Sequence, residues 1–249
     1  ADYWDDADRW IRNQFVENQL IRHDWVYRLA ETQPKVPVAF NESADRPAER
    51  NIGGFAGWAS GNDWVTEHPH KYAIMHCCTG NAALALYYIW QNMVDCDKET
   101  LSINLLMNRA SRWADVQSHI PYQGRVDLKM KEPCKQVRIR VPEWIPSQSS
   151  EVSCRIGDIK KEFSWDGRYV VISNAEKGKT LSLEFPIEEQ TVTERIGGVD
   201  YTLILKGNTV VFIDPPGKYS PLYQRDHYRD NITRWCWRDR FVSDEKMEW

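Results

Sequence analysis

The sequence lacks any apolar run that approaches the roughly 20 residues of a membrane-spanning helix, so we expect a soluble protein without a membrane partner. It also lacks a basic stripe: the formal net charge is −4 over 249 residues, and the lysines and arginines are dispersed. Nucleic acid is therefore not an expected partner. With 42% hydrophobic and 12% aromatic residues, the chain has enough apolar side chains for a folded core.

A compact disulfide framework is absent as well. Two of the six cysteines, Cys77 and Cys78, are adjacent, and the other four lie far apart: Cys96, Cys134, Cys154 and Cys236. This spacing favours reduced thiols.

The sequence opens on ADYWDDADRW, inside a helical pattern and without an initiating Met or a signal peptide. We therefore expect that a natural upstream segment is missing. Localisation cannot be read from such a start, and bacterial cytoplasm and periplasm both stay open.

Tryptophan is abundant, with 12 residues spread from Trp4 to Trp249. Indole faces stack on sugar rings, which points to carbohydrate, although tryptophan also fills large cores and interfaces. Both readings of each tryptophan stay open.

The first third of the chain has helical and irregular patterns. Apolar residues recur at helical steps and predict one long amphipathic helix from Tyr3 to about Leu29. Residues 32–75 are rich in Pro, Gly, Asn and Asp, which is typical of a functional loop. A second helix follows Cys78 with Thr79 as its cap, and its apolar stretch Ala82–Val94 predicts burial on most sides.

From Thr100 onward, ten short β-branched or alternating runs are separated by turn residues and predict an antiparallel sandwich or a pair of small sheets. In one run Val137, Ile139 and Val141 alternate with Arg138 and Arg140, which predicts one dry and one wet face. The fold class is α+β, with a boundary near Asp95–Glu99. The predicted domains are residues 1–98, helical, and 99–249, one or more β-sandwich domains.

The sequence HCCTGN places two thiols directly before the second helix. Unpaired N–H groups at a helix start stabilise thiolate, so we expect a lowered pKa for Cys77. Thiolate is both a nucleophile and a zinc ligand. A metal site would need further ligands, for which Glu67, His68, His70 and His76 are nearby, and two small buried side chains that begin a core helix are the plain alternative.

Three segments resemble glycoside hydrolase family 127, the β-L-arabinofuranosidase family: DYWDDADRWIRNQF, HCCTGNAALALYYIW and the run from Leu105 to Ile145 that ends in VPEWI. The resemblance is strong from Tyr3 to about Ile145 and weak beyond. It implies that the chain is the end of an (α/α)6 catalytic barrel followed by β-sandwich domains.

The resemblance also implies a retaining glycosidase with zinc held by one glutamate and three cysteines. Cys77 would be the nucleophile and a zinc ligand, and Cys78 a second zinc ligand. Two further ligands and the acid/base glutamate would lie upstream of this chain. Glu42, Glu49, Asp63 and Glu67 are fallback acids, and Trp58, His70 and His76 are candidate sugar contacts.

The sequence thus predicts a glycosidase that releases terminal L-arabinofuranose or a related sugar from plant glycans and is incomplete as this chain alone. Its expected partners are the carbohydrate and the N-terminal part of the same protein or a partner chain. The alternative is a non-catalytic β-sandwich module that binds carbohydrate or mediates assembly, and a naturally split gene is a third reading.

Overall fold

The structure, a computed structural model, describes residues 2–20, 23, 26–27, 31, 35, 37–57, 73–74 and 76–216. It has few helices and many strands, paired mostly antiparallel, so the α+β prediction is confirmed. The (α/α)6 barrel end and the division at residue 98 stay predictions. No helix among the described residues has the length and apolar content needed to cross a membrane.

The N-terminal helix is shorter than predicted. Helix α1 spans Trp4–Trp10 and runs on as a π-helical segment, Ile11–Phe15. The prediction of one helix to Leu29 is wrong because the backbone next pairs with a distant segment: Leu20 N–H donates to the Gly54 carbonyl at 2.9 Å. Gln19 also forms an antiparallel bridge with Phe55. These pairings use backbone groups that a continuing helix would need for itself.

Helix α1 docks on the β-structure through a buried ion pair. Arg140 Nη2 lies 2.6 Å from Asp5 Oδ2, and each side chain is only 3% exposed. Asp5 Oδ1 also accepts from the Glu143 N–H at 2.9 Å. Asn208 donates to Asp8 Oδ2 at 2.9 Å, which ties the same helix to a β-turn. Asp5 and Asp8 therefore anchor this helix to the β-structure.

Within residues 32–75, predicted as irregular, the described parts contain a one-turn helix α2, Pro47–Arg50, and strands β1, Ala56–Gly57, and β2, Ala73–Ile74. The two strands pair antiparallel, with Ala56 opposite Ile74. Regular structure is thus present within the segment, and β1 and β2 satisfy some of each other's backbone groups.

Helix α3 spans His76–Asn92. The predicted burial on most sides is wrong, since none of its residues is buried. Among the described residues of this helix, Ile89 is the one that packs against the core. The large exposed apolar side chains of this helix, called the α3 face below, are Leu84, Leu86, Tyr87, Tyr88 and Trp90.

All ten predicted runs contain strands, and these belong to three sheets. The six-stranded sheet has the order β10-β9-β13-β7-β6-β5 and consists of β5 (Arg109–Ala110), β6 (Ala114–Ser118), β7 (Arg125–Met130), β9 (Ser153–Ile156), β10 (Ile159–Lys160) and β13 (Thr180–Glu184). The five-stranded sheet has the order β11-β12-β8-β4-β3 and consists of β3 (Val94–Asp97), β4 (Thr100–Ile103), β8 (Cys134–Arg140), β11 (Ser164–Asp166) and β12 (Tyr169–Ala175). The three-stranded sheet has the order β14-β15-β16 and consists of β14 (Glu189–Ile196), β15 (Val199–Lys206) and β16 (Thr209–Asp214).

The two larger sheets enclose one hydrophobic core, to which β7 contributes Leu128 and β8 contributes Val137 and Ile139. Strand β3 begins before Thr100, so the strands begin earlier in the chain than predicted. Strand β4 pairs parallel with β8, so this pair departs from the predicted antiparallel pattern. The predicted wet face of β8 is also wrong at Arg140, because Asp5 neutralises its charge and allows its burial.

Candidate functional site

The two adjacent thiols lie in the first turn of α3. Cys77 is exposed and Cys78 is partly exposed. Their Sγ atoms are 3.8 Å apart, too far for a disulfide bond of about 2.05 Å. The plain alternative of two buried side chains is therefore wrong, since both thiols are within reach of solvent or a bound group.

The spacing of the two sulfurs fits a tetrahedral zinc ion. With Zn–S bonds of about 2.3 Å, two sulfurs on one tetrahedral edge lie about 3.8 Å apart, which matches the distance between Cys77 and Cys78. In the part of the chain that the structure describes, no group of three His, Cys, Asp or Glu side chains is placed to hold a metal. The pair could thus supply two of the four ligands that zinc requires.

The pKa of Cys78 is affected by its neighbour. It is raised, first by the hydrogen bond with Cys77, then by partial burial and by the neighbouring charge of Cys77. Either sulfur can donate this hydrogen bond. Cys77 is the more exposed of the two residues.

Thr79 has a different role from the predicted cap. The helix begins three residues earlier, at His76, and the Thr79 hydroxyl accepts a hydrogen bond from the Phe55 N–H at 2.9 Å. Phe55 is buried and its ring contacts Phe15, with centroids 5.1 Å apart. Thr79 therefore joins the thiol-bearing turn to β1 and, through Phe55, to the N-terminal helix.

The candidate sugar contacts divide into two groups. His76 is exposed as the first residue of α3, directly before Cys77. Trp58 and His70 lie outside the described residues, as do His68 and Glu67. Strands β1 and β2 flank the segment that contains these four residues, and β2 ends two residues before α3 begins.

The fallback acids are not assembled around the thiols in the described structure. Glu49 accepts a hydrogen bond from the Tyr27 hydroxyl, and chiefly this bond lowers the pKa of Glu49. A general acid needs the opposite shift, so Glu49 is unsuited to donate a proton at neutral pH. Glu42 is exposed and accepts from the Ala39 N–H at 3.0 Å, and Asp63 lies outside the described residues.

The remaining described cysteines belong to the β-structure. Cys96, Cys134 and Cys154 form no disulfide bond in the part of the chain that the structure describes, and the reduced state stays a prediction. Burial raises the pKa of Cys154 to about 11, which makes this thiol inert. Cys236 lies outside the described residues.

Sequence reasoning did not find Arg109, which holds the other end of α3. This buried side chain donates to the carbonyls of Gln91 and Val94 at 3.2 and 2.8 Å. Its guanidinium carbon lies 4.4 Å from the centroid of the Trp90 ring. No local pattern could have revealed this contact, because the acceptors are backbone oxygens that any sequence provides.

Comparison with known proteins returns solved structures alone: no family model and no curated protein matches the chain. One similar structure is a family-127 β-L-arabinofuranosidase from Geobacillus stearothermophilus T6, at 15% identity over 69% of this chain and 27% of that one, with a TM-score of 0.40. A second family-127 β-arabinofuranosidase is 12% identical over 56% of this chain and 26% of that one, with a TM-score of 0.43.

A third structure, described as a glycoside hydrolase, is 13% identical over 64% of this chain and 29% of that one, with a TM-score of 0.43. The chain spans between 26% and 29% of the length of these three structures. Two of the three bear the name of the family that the sequence resembles.

Proposed function

We propose that this chain is part of a retaining glycoside hydrolase that releases terminal L-arabinofuranose or a related sugar from plant glycans, with Cys77 as the nucleophile. The observation that carries the proposal is the thiol pair: two sulfurs 3.8 Å apart, with the exposed Cys77 in the first turn of a helix. The identity of the sugar is taken from the family resemblance.

The reaction proposed for Cys77 has two steps. Its thiolate attacks the anomeric carbon, the bond from that carbon to the leaving oxygen breaks, and the leaving oxygen takes a proton from a general acid. Water then attacks the same carbon and gives a proton to the conjugate base of that acid, the carbon–sulfur bond breaks, and the thiolate is restored. Sulfur is suited to both steps because thiolate is a strong nucleophile and also a competent leaving group.

Zinc held by Cys77 and Cys78 would stabilise their thiolates at neutral pH. Two further ligands and the general acid are proposed to come from a region that precedes this chain in the same protein, or from a partner chain. The α3 face supports the same proposal, since large apolar side chains on a single helix favour burial against another protein surface.

The proposal is tested by assay of an aryl β-L-arabinofuranoside with this chain alone and with the gene product that includes the preceding region. We expect little or no turnover by the chain alone, turnover by the longer protein, and its loss in Cys77→Ser, because a serine hydroxyl stays protonated at neutral pH. Cys96→Ser is the matched control and should retain turnover. Robust turnover by this chain alone that vanishes in Glu67→Gln would contradict the proposal and make Glu67 the acid.

The second candidate is a non-catalytic β-sandwich module for carbohydrate binding or assembly. It is favoured by the closed core between the two larger sheets, which does not depend on the thiols. Such a module does not need a thiol pair at the start of a helix. The test is a Cys77→Ser, Cys78→Ser double variant. This second candidate would be favoured if the variant binds carbohydrate or assembles as the parent chain does, and if no longer form of the protein is active.

A further inference from the structure

The three-stranded sheet has one long open edge. Strand β14, Glu189–Ile196, is an outer strand of this sheet and pairs with β15 along its whole length. Seven of its eight residues are exposed, and no other described strand pairs with it. An exposed edge strand of this length presents a row of backbone N–H and C=O groups to which a further strand can add.

The opposite edge of the same sheet is covered by another part of the chain. Strand β16 contacts the π-helical segment. There the Val210 N–H donates to Asn13 Oδ1 at 2.9 Å, and the Asn13 side-chain amide donates to the Asn208 carbonyl at 2.8 Å. Pairing through β14 therefore joins two sheets and stops there, because neither sheet has a second open edge to continue the assembly.

The charges on β14 are arranged as in a strand that can pair with itself. Because side chains alternate between the two faces of a strand, Glu189 and Arg195 lie on the same face, near opposite ends. Each already faces an opposite charge on β15: Glu189 lies 3.2 Å from Lys206, and Arg195 lies 3.4 Å from Asp200. Reversal of the strand direction thus brings a carboxylate to each place where a guanidinium lies.

We propose that a second copy of this chain adds its β14 antiparallel to this edge, about a two-fold axis at Val192. In a continuous two-fold sheet, opposite residues share a face, so the axis lies at the level of one residue. At Val192 it places Glu189 of each copy opposite Arg195 of the other, whereas a shift by one residue in either direction loses both ion pairs. Lys206 and Asp200 flank these pairs, so the charges alternate in sign across four strands. Val192, 37% exposed, meets its counterpart at the axis.

Analytical ultracentrifugation of this chain, at concentrations up to about 100 µM, tests the proposal. We expect a reversible dimer. Glu189→Arg places two cations opposite each other at both ends of the interface, and Arg195→Glu places two anions there, so each variant alone should dimerise roughly 10-fold more weakly or not at all. An equimolar mixture of the two variants restores opposite charges at both ends and should form a heterodimer about as tight as the parent dimer. Variants that had failed to fold would not recover in this way.

Introduced cysteines locate the axis. Val192→Cys should give a disulfide between two copies under mild oxidation, identified by peptide mass spectrometry, because directly opposite side chains lie within reach of this bond. Val199→Cys is the control, since Val199 is exposed on β15 but lies away from the axis. The proposal is overturned if the chain stays monomeric, if the charge variants dimerise as the parent chain does, or if their mixture does not recover the dimer. This dimer is independent of the chemistry proposed for Cys77.

Discussion

At the scale of single residues, the two neighbouring thiols are not equivalent. Cys77 is the more exposed sulfur, and the pKa of Cys78 is raised first by its hydrogen bond to Cys77. A raised pKa means that the thiolate of Cys78 forms only at higher pH. Alkylation requires thiolate, so the raised pKa of Cys78 slows its own alkylation, and the greater exposure of Cys77 favours that of Cys77.

Iodoacetamide labelling of this chain, read at each cysteine by mass spectrometry, should therefore modify Cys77 before Cys78. The preference should shrink once the pH is raised above the ordinary range of a thiol pKa, about 8.5, because Cys78, whose pKa is raised, then forms thiolate as well. Cys154 is an internal control: it is fully buried with a pKa of about 11, so it should stay unlabelled while the chain is folded. Faster labelling of Cys78 than of Cys77 would contradict this assignment.

Sequence alone identified the thiol pair because adjacent cysteines before a helix are a local pattern. It could not identify the role of Thr79, since the hydroxyl's partner, the Phe55 N–H, lies 24 positions away in the sequence. Arg140 is a similar case: the alternation of β8 predicts an exposed side chain, and only the docking of Asp5 from α1 buries it.

At the scale of elements, strands were easier to predict than helices. All ten predicted runs contain strands, because the period-2 pattern and the turn residues between runs are local. The N-terminal helix ends early because Gln19 and Leu20 pair with the segment around Gly54 and Phe55. The helical period of the apolar residues does not reveal such a distant backbone partner.

The junction between α3 and β1 depends on Thr79. Thr79→Val keeps the side-chain shape but removes the acceptor for the Phe55 N–H, so we expect a loss of roughly 0.5–1.5 kcal/mol in the free energy of unfolding. Urea denaturation measures the loss, and hydrogen exchange at the Phe55 amide should become faster. Thr79→Ser should behave like the parent chain, and Thr193→Val on exposed β14 is the control. Equal stability of Thr79→Val and the parent would show that the junction does not depend on this hydroxyl.

At the scale of the whole molecule, the two N-terminal helical elements differ in how they are supported. Helix α1 is held by the Arg140–Asp5 ion pair and by Asn208, so residues of this chain already support it. Helix α3 is fixed at its ends by Thr79 and Arg109, while the α3 face between these ends is exposed.

Hydrogen exchange of this chain should reflect that difference. We expect amides of α1 to be protected and those in the middle of α3 to exchange faster, because local opening is easier where few side chains are buried. In the longer gene product the middle of α3 should gain protection. Equal protection of α1 and α3 in this chain alone would contradict the proposal that another protein surface covers the α3 face.

The proposed attack of Cys77 on the sugar can be tested by a search for the covalent intermediate that it would form. The gene product that includes the preceding region would be mixed with an aryl β-L-arabinofuranoside, quenched in acid within the first turnovers, and mapped by peptide mass spectrometry. We expect one pentosyl residue on the sulfur of Cys77, and none on Cys78 or Cys96. An active protein that carries the pentosyl group on another residue, or that still turns over as Cys77→Ser, would contradict it.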